Sequence, residues 1–227
     1  MLAEFLNLIF PDLCVVCKRG LLTSEKYLCT NCRIRLPNAA SEMYLEFPNP
    51  LELRFIGHLK IKRAFAFLKF HKSGSAQKIL HGLKYQGMSE IGVLLGMWFG
   101  LELKESGNAN YDLILPVPLH YTRRRKRGYN QSEYICEGIS RSIDVKWIGC
   151  ELSREVATKT QTGFERSQRW KNVEDVFRLR NTIEIKDKRV LLVDDVVTTG
   201  ATLISCGSVL EKSGVRSLSL ACLAMAQ

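Results

Sequence analysis

The fold is decided by the stretch Arg189-Val-Leu-Leu-Val-Asp-Asp-Val-Val-Thr-Thr-Gly-Ala-Thr-Leu203. A β-branched apolar run ends there in two acids, and a hydroxyl-rich loop with one glycine leads into a helical pattern. This order is typical of a buried parallel strand, a ligand loop at its carboxyl end and the N-terminus of a helix. An ordinary strand with a polar loop is the alternative, but such loops rarely combine paired acids, three threonines and a glycine.

The loop after the acids has the chemistry of a site for a phosphorylated sugar. Free N–H groups at a helix N-terminus bind phosphate, and Gly200 lets the backbone approach such a ligand closely. The other loop residues of the candidate site are Thr198, Thr199, Ala201 and Thr202. Asp194 and Asp195 have the wrong charge for phosphate, but they suit sugar hydroxyls or a hard cation. The motif resembles the phosphoribosyl-pyrophosphate (PRPP) motif of type I phosphoribosyltransferases.

Length and composition indicate a globular protein with one α/β core and a small appendage. The chain has 227 residues, of which 46% are hydrophobic and 25% charged, and no apolar run reaches transmembrane length. The apolar segment Met1–Phe10 has an acid where a signal peptide has a base, so we expect a helix that packs on the protein. Membrane contact by this segment is the alternative. The expected location is a reducing cytoplasm, with peripheral contact at the inner membrane as the second interpretation.

Four of the eight cysteines form two close pairs, Cys14-x2-Cys17 and Cys29-x2-Cys32. Two such pairs let four thiolates converge on one tetrahedral metal ion, which predicts a zinc knuckle. Because all four positions are cysteine, no coordination position is left for a catalytic water, and we expect the zinc to be structural. Iron–sulfur ligation and redox thiols are the alternatives. The scattered cysteines are expected to be small core side chains, namely Cys136, Cys150, Cys206 and Cys222.

The chain divides near residue 40 into a zinc-binding module, residues 1–40, and a larger domain, residues 41–227. Strands alternate with helices in the larger domain, which predicts an α/β fold with a parallel, doubly wound sheet and ligands at the carboxyl ends of its strands. The predicted strands are residues 64–70, 112–119, 145–148, 176–179, the acid-pair strand and 215–224. The predicted helices are residues 76–84 with Ser73 as the cap, 90–104, 131–143 and 200–212.

A run of five consecutive cations carries a second candidate site. It consists of Arg123, Arg124, Arg125, Lys126 and Arg127, with Tyr121 and Tyr129 on either side. Three interpretations of this predicted loop stay open. It is a solvated surface, a site for pyrophosphate or an anionic substrate, or a groove that follows a nucleic-acid backbone while the tyrosines stack on bases. The net charge of +10 favours the nucleic-acid interpretation.

The segment Lys159–Asn172 is polar and contains a glycine and four basic residues. A loop of this length within a compact domain is usually functional or disordered. Its composition fits a mobile lid over the active site.

Several motifs stand in a fixed order along the chain. They are the four-cysteine knuckle, Leu83-Lys-Tyr-Gln-Gly87, Pro116-Val-Pro118, Arg127-Gly-Tyr-Asn-Gln131, Thr160-Gln-Thr-Gly163 with Arg166 and Asn172, and Val193-Asp-Asp-Val-Val-Thr-Thr-Gly-Ala-Thr202. Together they resemble the ComF family of competence-associated, phosphoribosyltransferase-like proteins. The resemblance runs from about Cys14 to the C-terminus. Each motif is moderately specific, and their order is highly specific.

The resemblance implies a type I phosphoribosyltransferase fold with an N-terminal zinc finger. It also implies a role in the uptake of single-stranded DNA during natural transformation, and a PRPP-type ligand with magnesium at the acid pair and threonine loop. By position, the family's pyrophosphate loop is Pro116, Val117, Pro118 and Leu119. The implied partners are single-stranded DNA and membrane-channel or helicase components of the DNA-uptake machinery.

Two functions from different classes stay open. The chain is either a DNA-uptake factor that binds a nucleotide-like ligand, or a working phosphoribosyltransferase that acts on a nucleobase or small amine, with Asp195 as the best catalytic candidate. The hypoxanthine-guanine branch of the superfamily has an acid where this chain has Thr198, which weakens a role in purine salvage.

Overall fold

The computed structural model describes residues 11–149, 152–154, 177–179 and 184–226. Its centre is a sheet of four parallel strands, which confirms the expected α/β fold. In chain order these strands are β1 (Ala64–Phe70), β2 (Leu113–Pro116), β5 (Arg189–Val197) and β6 (Ser217–Ala226). A separate antiparallel pair consists of β3 (Leu152–Arg154) and β4 (Phe177–Leu179). The order of the main sheet is β1-β6-β5-β2, so the acid-pair strand β5 lies in its interior.

Helices cover the sheet and connect its strands. They are α1 (Thr30–Ile34), α2 (Ala40–Leu45), a 3-10 helix (Glu52–Phe55), α3 (Ser75–Tyr85), α4 (Ser89–Glu105), α5 (Tyr121–Arg127), α6 (Gln131–Ile143) and α7 (Ala201–Lys212). Residues 190–193 of β5 and 218–225 of β6 are all buried. Continuous burial is expected of parallel strands whose two faces are both covered, which explains their near-continuous apolar sequences.

Helices α4 and α6 approach each other closely through glycines. A Cβ atom added to Gly138 would collide with the carbonyl oxygen of Val93, and one added to Gly96 would collide with that of Ile135. The small residues therefore let the two backbones touch. This contact fixes α6, whose first turn lies at the carboxyl end of the sheet.

Two details of the predicted elements are wrong, and a third element, the strand at residues 176–179, is confirmed as a strand but lies outside the main sheet. Ser73 is not the helix cap, because it has a left-handed φ of 64° and the N-cap of α3 is Gly74 without a side-chain hydrogen bond. The predicted strand at residues 145–148 is a single bridge between Trp147 and Ile114. The predicted strand at 176–179 is β4, which pairs with the unpredicted β3 outside the main sheet because a three-residue strand carries too little apolar pattern to fix its partner.

Pro37 and Ala39, which follow the four paired cysteines, bind to strand β1 of the main sheet. The N–H of Ala39 donates to Phe67 O over 3.0 Å, and the N–H of Lys69 donates to Pro37 O over 2.7 Å. Within the described ranges, no helix is long and apolar enough to cross a membrane. The segment Met1–Phe10, Cys150 and the expected lid Lys159–Asn172 lie outside the described residues.

Candidate ligand cleft and cysteine cluster

The two acids at the end of β5 lie in a cleft of about 150 Å³ at the carboxyl edge of the sheet. Asp195 is 9% exposed, and its Oδ2 atom lies 2.9 Å from the Nζ atom of Lys84 on α3. The positive charge of Lys84 balances the negative charge of the Asp195 carboxylate. The cleft therefore contains a charged pair whose members come from distant parts of the chain.

Asp194 has a different environment from its neighbour. The N–H of Asp195 donates to Asp194 Oδ1 over 2.8 Å, and Ser132 Oγ donates to the same oxygen over 3.3 Å. Burial and the charge of Asp195 nevertheless raise the pKa of Asp194 to about 7. Asp194 thus titrates near neutral pH, where a proton or a cation can neutralise it.

The threonine loop leads from β5 into α7. Gly200 is the N-cap of α7 with a φ of 84°, and a Cβ atom there would lie 3.0 Å from Phe55 Cε1. Arg54 links the loop to the end of β6. Its Nη1 atom donates to Thr198 O over 2.6 Å, and its Nη2 atom donates to Ala226 O over the same distance. Thr198, Thr199 and Ala201 are exposed, and Thr202 is half-buried. Of the loop residues 198–202, Thr202 lines the cleft with the acids, in the first turn of α7, and the other four do not.

The turn Pro116–Leu119 borders the same cleft. The N–H of Val117 donates to Val193 O over 2.8 Å, and Asn130 Nδ2 donates to Val117 O over 3.0 Å. These two bonds fix the turn beside the acid-pair strand. Val117, Pro118 and Leu119 line the cleft.

The cation run is the short helix α5, not the expected loop. Side chains four residues apart share one face of a helix, and Arg123 and Arg127 both line the cleft. Arg127 Nη1 donates to Gln131 Oε1 over 2.8 Å, whereas Arg124 turns away toward Glu133 at 3.4 Å. Arg123, Arg124, Arg125 and Lys126 are exposed. The run therefore supplies cations both to the cleft and to the surface beside it.

Tyr129 is not open to stack on a base, because its hydroxyl and its ring contact other residues of the protein. It is half-buried, its hydroxyl donates to Leu83 O over 2.5 Å, and its ring meets that of Tyr134 edge-on at 5.3 Å. Two other tyrosines near the cation run are exposed, Tyr85 at 59% and Tyr121 at 57%.

Several residues of the cleft were not among the expected site residues. They are Lys84, Asn130, Gln131 and Ser132, with Arg54 behind the loop. Lys84, Asn130 and Gln131 lie in two of the motifs that resemble the ComF family, whereas Ser132 and Arg54 lie in none of them. That resemblance was the available signal, since no local pattern shows that these side chains point toward Asp194 and Asp195.

The four paired cysteines converge in the structure. The sulfur atoms of Cys14, Cys17, Cys29 and Cys32 all lie within 4.8 Å of one another, so they can hold a metal ion. Burial opposes ionisation of Cys14, but N–H groups of the surrounding turns outweigh it and lower its pKa to about 6. Burial and the neighbouring thiols raise the pKa of Cys32. A divalent cation would favour the thiolate form of all four residues.

The residues around the cluster pack against α3 and α4, and on α3 Lys78 Nζ donates to Val16 O over 3.0 Å. Lys26 Nζ and the Tyr27 hydroxyl both contact Glu90 Oε2, at 2.7 Å and 2.8 Å. The guanidinium carbon of Arg33 lies 4.4 Å from the ring of Trp98. Of the scattered cysteines, Cys136, Cys206 and Cys222 are fully buried, as expected of core side chains.

Comparisons with known proteins find one matching family model and several similar proteins. The family described as "Phosphoribosyl transferase domain" matches residues 111–227. The chain is 30% identical over 219 residues to "DNA utilization protein YhgH" of Escherichia coli O157:H7, covering 93% of this chain and 89% of the relative. It is 37% identical over 108 residues to "Competence protein F" of Haemophilus influenzae, covering 47% of each. A solved structure, "Structure of the allosteric regulatory enzyme of purine biosynthesis", is 16% identical with a TM-score of 0.42 over 58% of this chain and 26% of that one.

Proposed function

The chain belongs to the ComF family and carries a phosphoribosyl transferase domain, and from that membership we propose that it acts in DNA uptake. In this proposal the cleft binds a PRPP-type ribose phosphate with magnesium, and the basic surface beside it binds single-stranded DNA. The relatives whose names refer to DNA utilization and competence support the cellular role.

One observation carries the ligand assignment. The cleft gathers an acid pair, Thr202 in the first turn of α7 and three cations, Lys84, Arg123 and Arg127. Each group matches one part of PRPP, because carboxylates accept hydrogen bonds from a ribose diol, a helix N-terminus binds the 5′-phosphate, and cations bind pyrophosphate. Asp194 and Asp195 offer the oxygen ligands that magnesium prefers, and magnesium would neutralise phosphate charge.

The strand-binding part of the proposal rests on charge. Four cations of α5 are exposed, and the chain has a net charge of +10. Single-stranded nucleic acid binds to positive surfaces that follow its backbone. A strand whose 5′-phosphate end enters the cleft would engage both sites at once.

We assign structural zinc to the four-cysteine cluster, because four thiolates with no open position are typical of structural zinc sites. We also propose the division into a zinc module at residues 1–40 and a phosphoribosyltransferase-like domain at residues 41–227. The module would brace α4 and also α3, which contributes Lys84 to the cleft.

Calorimetric titration with PRPP and magnesium tests the ligand. Wild-type protein should bind, and Asp195→Asn should abolish binding because it removes a carboxylate from the diol and cation site. Asp144→Asn is the matched control, since Asp144 is an exposed acid at the other end of α6. Normal binding by Asp195→Asn would refute the assignment.

A second candidate function is phosphoribosyl transfer to a nucleobase or small amine. The observation in its favour is the pair of cations Arg123 and Arg127 beside the Pro116–Leu119 turn, where they can stabilise departing pyrophosphate. Pyrophosphate release from magnesium–PRPP would establish the transferase if it required the pool of nucleobases and if Asp195→Asn abolished it. Ligand binding without release would leave a binding protein.

A further inference from the structure

Tyr85 is an exposed aromatic residue at the end of α3, and it belongs to the Leu83–Gly87 motif but not to the site residues expected from the sequence. The guanidinium carbon of Arg127 lies 5.2 Å from the centre of its ring, and Arg127 Nη2 donates to its hydroxyl over 3.4 Å. The ring of His81, one turn earlier, lies 5.1 Å away. The residue is still 59% exposed, so most of its surface remains open despite both contacts.

The exposed face of α3 continues away from the cleft. Lys78, His81 and Tyr85 follow one another at intervals of three and four residues, which places them on one face of the helix. This face spans roughly 10 Å along the helix axis. Lys84 projects from the neighbouring position toward Asp195.

Two depressions adjoin this face of α3. One is the ligand cleft, to which α3 contributes Lys84 and α5 contributes Arg123 and Arg127. The other has a volume of about 350 Å³ and is lined by Val15, Val16 and Lys18 together with Lys78 and His81. Lys78 Nζ donates to Val16 O over 3.0 Å, which holds this cation at the rim of the depression. Both are bordered by cations, and Tyr85 lies at the end of α3 nearest the cleft. Positive grooves that contain an open aromatic ring bind single-stranded nucleic acid, because every base has a face that can stack.

We propose that Tyr85 is a stacking platform for a base of single-stranded DNA, whose backbone passes from Arg127 along α3 to Lys78 and Lys18. This inference rests on the proposed binding of single-stranded DNA and specifies its surface. Tyr129 is unsuited to the role because its hydroxyl and ring edge are engaged within the protein. Tyr85 has a ring that is already oriented by Arg127, and that cation can also contact the adjoining phosphate.

Fluorescence anisotropy with a labelled oligothymidylate of about twelve nucleotides tests the platform, with an abasic strand of the same length for comparison. Tyr85→Leu should weaken oligothymidylate binding about tenfold, because a stacked base is lost. Binding of the abasic strand should be unchanged, and Tyr85→Phe should bind like the wild type because it keeps the ring. Phe47→Leu is the matched control, since Phe47 is 78% exposed and also has a guanidinium over its ring, that of Arg63 at 5.4 Å.

The outcomes separate this inference from the proposed function. If wild-type protein binds no single-stranded DNA, both the proposed DNA binding and the stacking role of Tyr85 are wrong. If wild type binds and Tyr85→Leu binds equally well, only the platform is wrong. The stacking role would also be wrong if Tyr85→Leu lost the same affinity for oligothymidylate and for the abasic strand. Tyr85 would then support the fold or the contacts to the DNA backbone, and not a base.

Discussion

Lys84 Nζ lies 2.9 Å from Asp195 Oδ2, and their side chains are only 18% and 13% exposed. The pair joins α3 to the end of the acid-pair strand across the ligand cleft. Burial and the neighbouring charge of Asp195 raise the pKa of Asp194, which has no cation of its own at this distance among the ion pairs of the described residues. A magnesium-bound ligand would meet a site whose charge is already partly balanced.

A double-mutant cycle should measure this ion pair. Lys84→Gln and Asp195→Asn each leave a mostly buried partner without its counter-charge, so each should lower the free energy of unfolding. The double mutant should lose less free energy of unfolding than the two single mutants together. Urea unfolding should give a coupling energy of about 1–3 kcal/mol. Additive losses would mean that the two charges do not interact in solution.

Asp194 should make stability depend on pH. Its pKa is raised from 3.8 to about 7 in the folded protein, so the folded state holds a proton that the unfolded state has already released. The contribution of Asp194 to the free energy of unfolding should therefore fall as pH rises from about 4 to 7.

Urea unfolding of the wild type and Asp194→Asn at pH 5 and pH 8 checks this dependence. Asn cannot ionise, so the variant should gain stability relative to the wild type at pH 8. A difference between the two proteins that stays constant with pH would show that Asp194 titrates normally.

Gly200→Ala should disturb the ligand loop. The φ of 84° disfavours a Cβ atom, and that atom would lie 3.0 Å from Phe55 Cε1. We expect a loss of about 1–2 kcal/mol in unfolding free energy and weaker PRPP binding in calorimetry. Gly107→Ala is the control, because its φ of 72° imposes similar backbone strain in open space. It should lose stability but bind PRPP normally, and equal PRPP affinities for the two variants would contradict the role of the loop.

Replacement of Arg124, Arg125 and Arg127 by alanine should weaken single-strand binding and its salt dependence. Each phosphate contact contributes about 0.7 to the slope of log affinity against log salt, so the slope should fall by about 2 if all three residues touch phosphates. Anisotropy titrations at several salt concentrations measure this change.

A second triple variant provides the control for charge. Lys60, Lys62 and Arg216 are exposed and line a depression beside the amino ends of β1 and β6, at the opposite edge of the sheet from the ligand cleft. Replacing these three residues by alanine removes the same charge, but it should leave most of the affinity for single-stranded DNA. Equal losses in both triple variants would indicate a diffuse effect of net charge without a site on α5.

Cys29→Ser should reduce the metal content of the purified protein. We expect one zinc ion per chain in the wild type by elemental analysis, because the four sulfur atoms converge on one position. Cys136→Ala, a buried change outside the cluster, should keep the metal. Wild-type protein purified under reducing conditions without stoichiometric metal would favour redox thiols.

Local sequence determined the elements around the site. An apolar run, two acids and a helical period predict β5 and α7, because these patterns depend only on neighbouring residues. Helix α6 has the predicted bounds, Gln131–Ile143. The cysteine spacing predicted a cluster because each close pair forms a local turn. The cation run was predicted less well, since five like charges carry no apolar period to mark α5 as a helix.

Tertiary structure decided which side chains share the cleft and which stay exposed. Lys84 meets Asp195, and Arg54 holds Thr198, only because helices and strands from distant parts of the chain pack together. The same packing engages Tyr129 and leaves Tyr85 open, although both are tyrosines near cations. Sequence periodicity specifies which face of an element is apolar, whereas the pairing of polar groups depends on how the elements are arranged in three dimensions.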